Sequence, residues 1–160
     1  MSHLVYLSLG SNVGDRQHNL RDAISRLKTA GAVAAVSSFY ETAPVEFTEQ
    51  SWFLNCVVAL ETTQTPGQLM GSLLRIEQEM GRIRIQKKGP RTIDIDLLLF
   101  GDVVVESPDL CIPHPAMQQR RFVLEPLAEI AAEAWHPRLK KTIGELLVEL
   151  PAGQIVRKLP

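Results

Sequence analysis

The chain has 160 residues, a hydrophobic content of 45%, a charged content of 22% and a formal net charge of -1. That size and balance describe one globular domain over residues 1–160. The near-neutral charge argues against a general binder of nucleic acid or anionic membrane, because the positive charge is gathered locally. The chain opens without a basic segment leading into an apolar stretch, and no apolar run approaches membrane-spanning length. Cys56 and Cys111 sit in apolar surroundings without metal-ligand spacing. Together these features imply a cytoplasmic protein with free, buried thiols.

Residues 4–9 read as a buried strand that ends in the turn-rich run Gly10-Ser11-Asn12-Val13-Gly14-Asp15. Leu20, Ile24 and Leu27 recur at helical spacing and stop before Gly31. Residues 32–40 and 54–60 follow as strands on either side of a loop at Pro44. The second helix carries the clearest signals. Thr65 is placed to cap it, Pro66 takes the first helical position and Gln68 completes a Thr-x-x-Gln capping box. Leu69, Leu73, Ile76 and Met80 form its apolar stripe, and Gly81 ends it. Residues 92–100 read as a strand, 103–105 as a short return strand, and 122–132 and 142–150 as helices. The order strand, helix, strand, strand, helix, strand predicts an α+β, ferredoxin-like βαββαβ sandwich with additional C-terminal helices, its helices mainly covering one face.

Chemistry concentrates at residues 82–96. Asp94 and Asp96 interrupt a strand-forming apolar run, so they share one face with Cα atoms roughly 7 Å apart. Half-buried carboxylates are costly unless neutralised, and Mg²⁺ is bound through one or two carboxylates plus substrate phosphates. The preceding run, Arg82-Ile83-Arg84-Ile85-Gln86-Lys87-Lys88-Gly89-Pro90-Arg91, holds five cationic side chains and no acidic one. A cationic loop running into a two-carboxylate strand suits a metal-polyphosphate complex. A solvated strand face and a solvated turn are the plain structural readings of the same residues. Two further clusters matter. His114 stands between prolines in Ile112-Pro113-His114-Pro115, able to donate to a phosphate oxygen. Arg120 and Arg121 fall at a helix start, where the macrodipole disfavours cations and an anionic ligand would relieve the conflict. Asn55, inside the apolar run 53–60, carries an amide that suits the edge of a heterocycle, and Phe53 is placed to stack on its face. P-loop, protein-kinase and zinc motifs are absent.

Taken in order, these segments resemble the 6-hydroxymethyl-7,8-dihydropterin pyrophosphokinase family of folate biosynthesis. The resemblance is carried by Gly10-Ser11-Asn12-Val13-Gly14-Asp15-Arg16, Ser37-Ser38-Phe39-Tyr40-Glu41-Thr42, Phe53-Leu54-Asn55, Ile76-Glu77, Gly81-Arg82-Ile83-Arg84, Gly89 to Asp96, Ile112-Pro113-His114-Pro115 and Arg120 to Leu127. It implies an ATP-dependent enzyme with two Mg²⁺ ions, in which the pterin hydroxymethyl oxygen attacks the β-phosphorus of ATP and AMP leaves. It also implies that Asp94 and Asp96 hold the metals, with Arg82 and Arg91 as catalytic cations on a mobile loop. The nucleotide and its phosphates would meet Glu77, Arg84, Lys88, His114 and Arg120. The pterin would lie between Phe53 and Phe122 with Thr42, Asn55 and the backbone of Val45 at its edge. Lys88 stands where many relatives carry Trp. The small-molecule partners implied are ATP and the pterin alcohol, acted on by a monomer without nucleic acid or membrane.

Two alternatives remain at this stage. A ferredoxin-like sheet with a basic loop can bind RNA, although strand 54–60 lacks the exposed aromatics such modules use. A metal-dependent phosphohydrolase could use the same carboxylates.

Overall fold

The computed structural model describes residues 1–43, 52–81 and 92–160. Within them β1 (His3–Ser11) leads to α1 (Arg16–Arg26), extended by a 3-10 turn over Leu27–Thr29, then to β2 (Ala32–Val36), β3 (Tyr40–Thr42) and β4 (Phe53–Thr62). Next come α2 (Pro66–Glu79), β5 (Asp94–Phe100), β6 (Val105–Glu106) and β7 (Cys111–Ile112). The chain continues through a 3-10 turn at Met117–Gln119 into α3 (Arg121–Ala131), β8 (Trp135–His136), β9 (Lys141–Thr142), α4 (Ile143–Glu149) and β10 (Val156–Lys158). The main sheet runs β10-β3-β4-β1-β5, with β2 also pairing β4, and its pairs are antiparallel. β1 and β2 belong to one strand-helix-strand unit with β4 inserted between them, the split arrangement of the ferredoxin-like fold.

Local signals explain the helices. Asp15 caps α1 by accepting from the His18 N–H at 3.1 Å. The expected capping box of α2 forms on both sides, Gln68 N–H to Thr65 Oγ1 and Thr65 N–H to Gln68 Oε1, and Gly81 closes the helix at φ +83°. A second box, Thr142 with Glu145, starts α4. That Thr-x-x-Glu pattern was equally legible in the sequence.

Two hydrophobic layers sandwich the sheet. One packs α1 and α2 on β1, β4 and β5 through Leu20, Leu27, Leu69, Leu73, Leu7, Leu9, Leu54 and Ile95. The other packs α3 and α4 on the opposite face through Val123, Leu124, Leu127, Ile143, Leu146, Val57 and Leu98. The expectation that helices mainly cover one face is therefore corrected: the C-terminal helices build a third layer. Their apolar stripe has to be buried against something, and the second face of the sheet is the apolar surface within reach.

Three further departures have physical causes. The strand expected over 32–40 breaks at residues 37–39, because the Ser37 hydroxyl accepts from Val57 N–H at 2.9 Å while Ser38 turns toward α3. The short return strand lies at Val105–Glu106, where it can pair with Cys111–Ile112. Cys111 is an exposed free thiol on that ribbon, against the expectation of two buried ones, whereas Cys56 is buried in the core. No helix among the described residues is long and apolar enough to cross a membrane.

The break in the edge strand is held by Glu129 of α3, which accepts from Ser38 N–H, Ser38 Oγ and the Tyr40 hydroxyl, the last at 2.6 Å. Burial, helped by this carboxylate, pushes the Tyr40 phenol well above its ordinary value. Tyr40→Phe should therefore lower unfolding stability by about 1–2 kcal/mol, the usual worth of such a bond. A urea titration reads this directly, and an unchanged midpoint would remove the Tyr40–Glu129 bond from the account of how α3 is docked.

Candidate active site

The site follows from strand register. β1 lies between β4 and β5, and its partners place Asn55, Gly10 and Asp94 in one cross-strand row and Val57, Ser8 and Asp96 in the next. A bulge sets which face these rows occupy. Tyr6 pairs with Leu99 and Leu7 with Leu97, so Leu98 is an extra residue in β5. Leu97 and Phe100 both enter the layer beneath α1 and α2, while Leu98 and Leu99 enter the layer beneath α3. By alternation from Leu98, Asp96 and Asp94 share one face, as the sequence predicted, and that face is the α3 side. Asn55 and Asp94 are thus two strand spacings apart, about 10 Å.

Gly10 makes the floor between them. A Cβ there would lie 2.8 Å from Asn55 Nδ2 and 3.6 Å from Phe53 Cδ1, so the absence of a side chain lets both groups lean over β1. Sequence reading had placed Gly10 in a turn only. The signal that could have found it was its position one residue before the end of β1 at Ser11, in register with a buried amide. Thr42 pairs with Phe53 at the next step of the ladder. Thr42 is 3% exposed and Asn55 5% exposed, yet Thr42 Oγ1 and Asn55 Oδ1 have no hydrogen-bond partner among the described residues. Such orphans cost about 1–3 kcal/mol each, which a ligand presenting donors and acceptors in this row would recover.

Cations and acids meet at the other end. Arg120, at the N-cap of α3, lies 3.9 Å from Asp96 Oδ2 and holds its guanidinium 5.6 Å from the centre of the Phe122 ring. Arg121 is taken up elsewhere, by Glu125 and the carbonyls of Leu150 and Pro151. Of the arginine pair, Arg120 is the one turned toward the carboxylates. The His114 ring accepts from Ala116 N–H through Nδ1 at 3.1 Å, and the His114 backbone N–H donates to the Leu98 carbonyl at 3.0 Å. Burial, reinforced by Arg120 and opposed by Asp94, pulls its pKa down to about 4. The neutral ring then carries its proton on Nε2, as a donor. Glu77 is 1% exposed beneath β5, where Oε2 accepts from Ile95 N–H at 2.7 Å. It holds the backbone of the residue between the two aspartates.

A depression of about 190 Å³ adjoins Asp96 and His114 and is walled by Met70, Leu97, Leu110 and Cys111. Its apolar walls were not singled out from the sequence, because they come from three separate elements. A larger recess of about 470 Å³, between the α1 N-terminus and β3, is lined by Arg16, Glu41, Trp52 and Arg157. There the two arginines pair with Glu41.

The structure therefore brings together Thr42, Phe53 and Asn55 at one end of the face and Asp94, Asp96, His114 and Arg120 at the other, with Phe122 on the helix above and Glu77 behind the strand. Val45, Arg82, Arg84, Lys88 and Arg91 lie outside the described residues. No cluster of three or more His, Cys, Asp or Glu able to hold a metal occurs among the described residues. The Asp94–Asp96 pair nonetheless fits Mg²⁺, whose remaining ligands are ordinarily water and phosphate oxygen.

The arrangement sets two carboxylates near an arginine and a neutral histidine at one end, and a buried amide beside an aromatic ring at the other, on a ferredoxin-like sandwich. The model of the 7,8-dihydro-6-hydroxymethylpterin-pyrophosphokinase (HPPK) family matches residues 6–132. The 2-amino-4-hydroxy-6-hydroxymethyldihydropteridine pyrophosphokinase of Bacillus subtilis is 45% identical over 135 residues, which cover 83% of this chain and 81% of that protein. The folic acid synthesis protein FOL1 of Dictyostelium discoideum is 36% identical over 159 residues, and this chain spans 24% of its length. In fold, the chain is similar to a Plasmodium falciparum HPPK-DHPS, with a TM-score of 0.75 at 17% identity over 93% of this chain and 43% of that one. The chain belongs to the HPPK family, the pyrophosphokinases of folate synthesis.

The His114 environment has a consequence for stability. Its pKa in the folded state lies below the ordinary 6.5, so the unfolded chain binds the proton first as pH falls. The contribution of the neutral ring is complete above about pH 6.5 and is lost as pH drops through about 4. His136, whose pKa is also pulled down by burial, acts in the same direction. His114→Asn, which keeps an acceptor for Ala116 N–H, should show a flatter dependence of unfolding stability on pH over that window. Identical pH profiles for the two proteins would remove His114 as a source of acid sensitivity.

Proposed function

We propose that the chain transfers a pyrophosphoryl group from ATP to the hydroxymethyl group of 6-hydroxymethyl-7,8-dihydropterin and releases AMP, as a Mg²⁺-dependent enzyme. The observation that carries this reading is the single row Asn55–Gly10–Asp94. It sets an amide oxygen, unpartnered among the described residues and suited to a ring edge, about two strand spacings from a metal-type carboxylate, on one face.

In this reading the pterin lies over Gly10 between Phe53 and Phe122, and its edge is met by Asn55, Thr42 and the backbone of Val45. Its hydroxymethyl group then points along the row toward Asp94. The triphosphate lies across Asp94 and Asp96, with the base in the depression beside Met70, Leu97 and Leu110. Mg²⁺, two ions by family resemblance, supplies charge neutralisation and a template for the triphosphate when bound. Arg120 exchanges Asp96 for phosphate, His114 donates from Nε2, and Glu77 completes the nucleotide side from behind β5. Arg82, Arg84, Lys88 and Arg91 bring the cationic charge that the sequence places just before these carboxylates. Bond making is between the hydroxymethyl oxygen and the β-phosphorus, and the bond broken joins that phosphorus to the α,β-bridging oxygen, which leaves on AMP. The hydroxymethyl proton is released. Such a transfer depends chiefly on positioning and charge stabilisation, which is what these groups offer.

The unit acting is taken as residues 1–160 folded as one domain, a monomer in the cytoplasm. The exposed Cys111 thiol is compatible with a reducing compartment. RNA binding finds no support, because both faces of the sheet are covered by helix layers where an RNA-binding sheet would be open.

The deciding assay combines the protein with ATP, Mg²⁺ and the pterin alcohol and identifies the nucleotide product. Pterin-dependent AMP is expected. ADP, or hydrolysis without pterin, would replace this reading with a phosphotransferase or a phosphohydrolase. Asp96→Ala should lower kcat by at least about a thousandfold in a folded protein, and near-normal turnover would overturn the metal assignment. Gly10→Ala makes a separate prediction. Its methyl group would displace the Asn55 amide, so the KM for pterin should rise by at least about tenfold, one lost hydrogen-bonding arrangement, while ATP binding is unchanged.

A further inference from the structure

The C-terminal segment lies outside residues 6–132, the region the family model matches, and sequence reading found no role for it. In the structure it is the outermost strand of the sheet. β10 pairs with β3 in the register Val156–Thr42, Arg157–Glu41 and Lys158–Tyr40. Beyond the paired residues, Ala43 N–H donates to the Ile155 carbonyl at 3.3 Å and Leu159 N–H to the Phe39 carbonyl at 2.8 Å. β3 is three residues long, and a strand that short would fray if it formed the sheet edge itself.

Side chains then tie this strand to the start of β4. Arg157 Nη2 lies 3.3 Å from Glu41 Oε1, and its guanidinium carbon stands 4.7 Å from the centre of the Trp52 ring. The other oxygen of Glu41 accepts from Arg16 Nη2 at 2.9 Å, and Arg16 Nη1 donates to the Trp52 carbonyl at 2.9 Å. Trp52 is therefore held by its ring and by its backbone, immediately before Phe53. Glu41 pairs with Leu54 on the face beneath α1, and Thr42 pairs with Phe53 on the face where the pterin pocket lies. A clamp on one side of these two strands fixes where Thr42 and Phe53 emerge on the other.

We propose that β10 and Arg157 form a strap that positions the pterin pocket, with Arg157 acting through Glu41 and Trp52 on Thr42 and Phe53. Arg157 is a positioning residue, not a contact of the substrate. This rests on the assignment of the pterin to the Thr42–Phe53–Asn55 pocket. It also separates the two substrates, because Asp94, Asp96, His114 and the nucleotide depression lie at β5, across β4 and β1 from the strap and β3.

The test uses the full chain. The Arg157 side chain is 63% exposed, so its replacement leaves the folding core intact. Arg157→Ala should raise the KM for pterin by about three- to tenfold, the scale of one exposed ion pair and one cation–π contact, with the KM for Mg·ATP unchanged. Arg157→Glu, which sets a like charge against Glu41, should raise it further, and Arg157→Lys should recover part of the loss. Asn55→Ala is measured alongside. If Asn55→Ala raises the pterin KM but the Arg157 variants change only thermal stability, or move both KM values equally, the strap is overturned and the pocket stands. If Asn55→Ala leaves the pterin KM unchanged, the pocket assignment itself fails.

Discussion

The register of β1 is the constraint on which the site depends. β1 is paired along both edges, to β4 and to β5, so it fixes which residues of the two neighbours stand opposite one another. In an antiparallel sheet a slip of one residue would turn every side chain to the other face. Here that slip would bury Asp94 and Asp96 among Leu7, Leu9 and Ile76 and turn leucines toward Arg120. The bulge at Leu98 allows both requirements to be met within seven residues. Phe100 and Leu97 stay in the layer beneath α1 and α2, and the two carboxylates stay out of it.

Glu77 secures the same register from behind. β5 is the last strand of the sheet on its side, so its outward N–H groups have no ladder partner. At Ile95 that donor is answered by a carboxylate buried in the interior, at the residue between Asp94 and Asp96. A charged acceptor makes a stronger bond than a neutral one, and a buried donor left unanswered is costly in its own right. The backbone carrying the acidic pair is thereby held before any ligand arrives. Arg120 meanwhile sits 3.9 Å from Asp96 Oδ2, at the long end of an ion pair, so the two charges face each other without close contact. Preorganised charge of this kind is what a transfer that proceeds mainly by electrostatic stabilisation requires.

Much of this was legible in the sequence, for a physical reason. The pairing of Asp94 with Asp96, the capping box of α2 and the order of elements are local or periodic properties, and local chemistry determines them. Asn55 stood out because an amide in an apolar strand needs partners. What was not legible depends on contacts between distant segments. Gly10 matters only through its ladder partner forty-five positions away, and Glu129 only because α3 returns to Ser38 and Tyr40. The third layer was hidden because an amphipathic helix announces that it has an apolar face, not which side of a sheet will receive it. The bulge at Leu98 lies in a run of leucines whose pattern reads equally well with or without it. The strap went unnoticed because a three-residue strand has no signature apart from the strand it joins.

The buried acceptors at Thr42 and Asn55, unpartnered among the described residues, bear on specificity as well as affinity in the proposed reading. An apolar slot between aromatic rings would take many flat heterocycles and discriminate weakly among them. A slot with buried polar atoms already withdrawn from water behaves differently: a ring that presents donors at those positions recovers hydrogen bonds, while one that does not leaves the protein's own groups unpaired. Discrimination of that kind rests on the protein's own polar atoms, whose burial is costly. That cost has to be sustained by the rest of the fold, and the pocket stands where support converges: β1 and β4 in continuous register, α3 docked through Glu129, and β3 braced by β10. The same braces that keep two strand ends in place keep the Thr42 and Asn55 polar atoms in one row of the sheet.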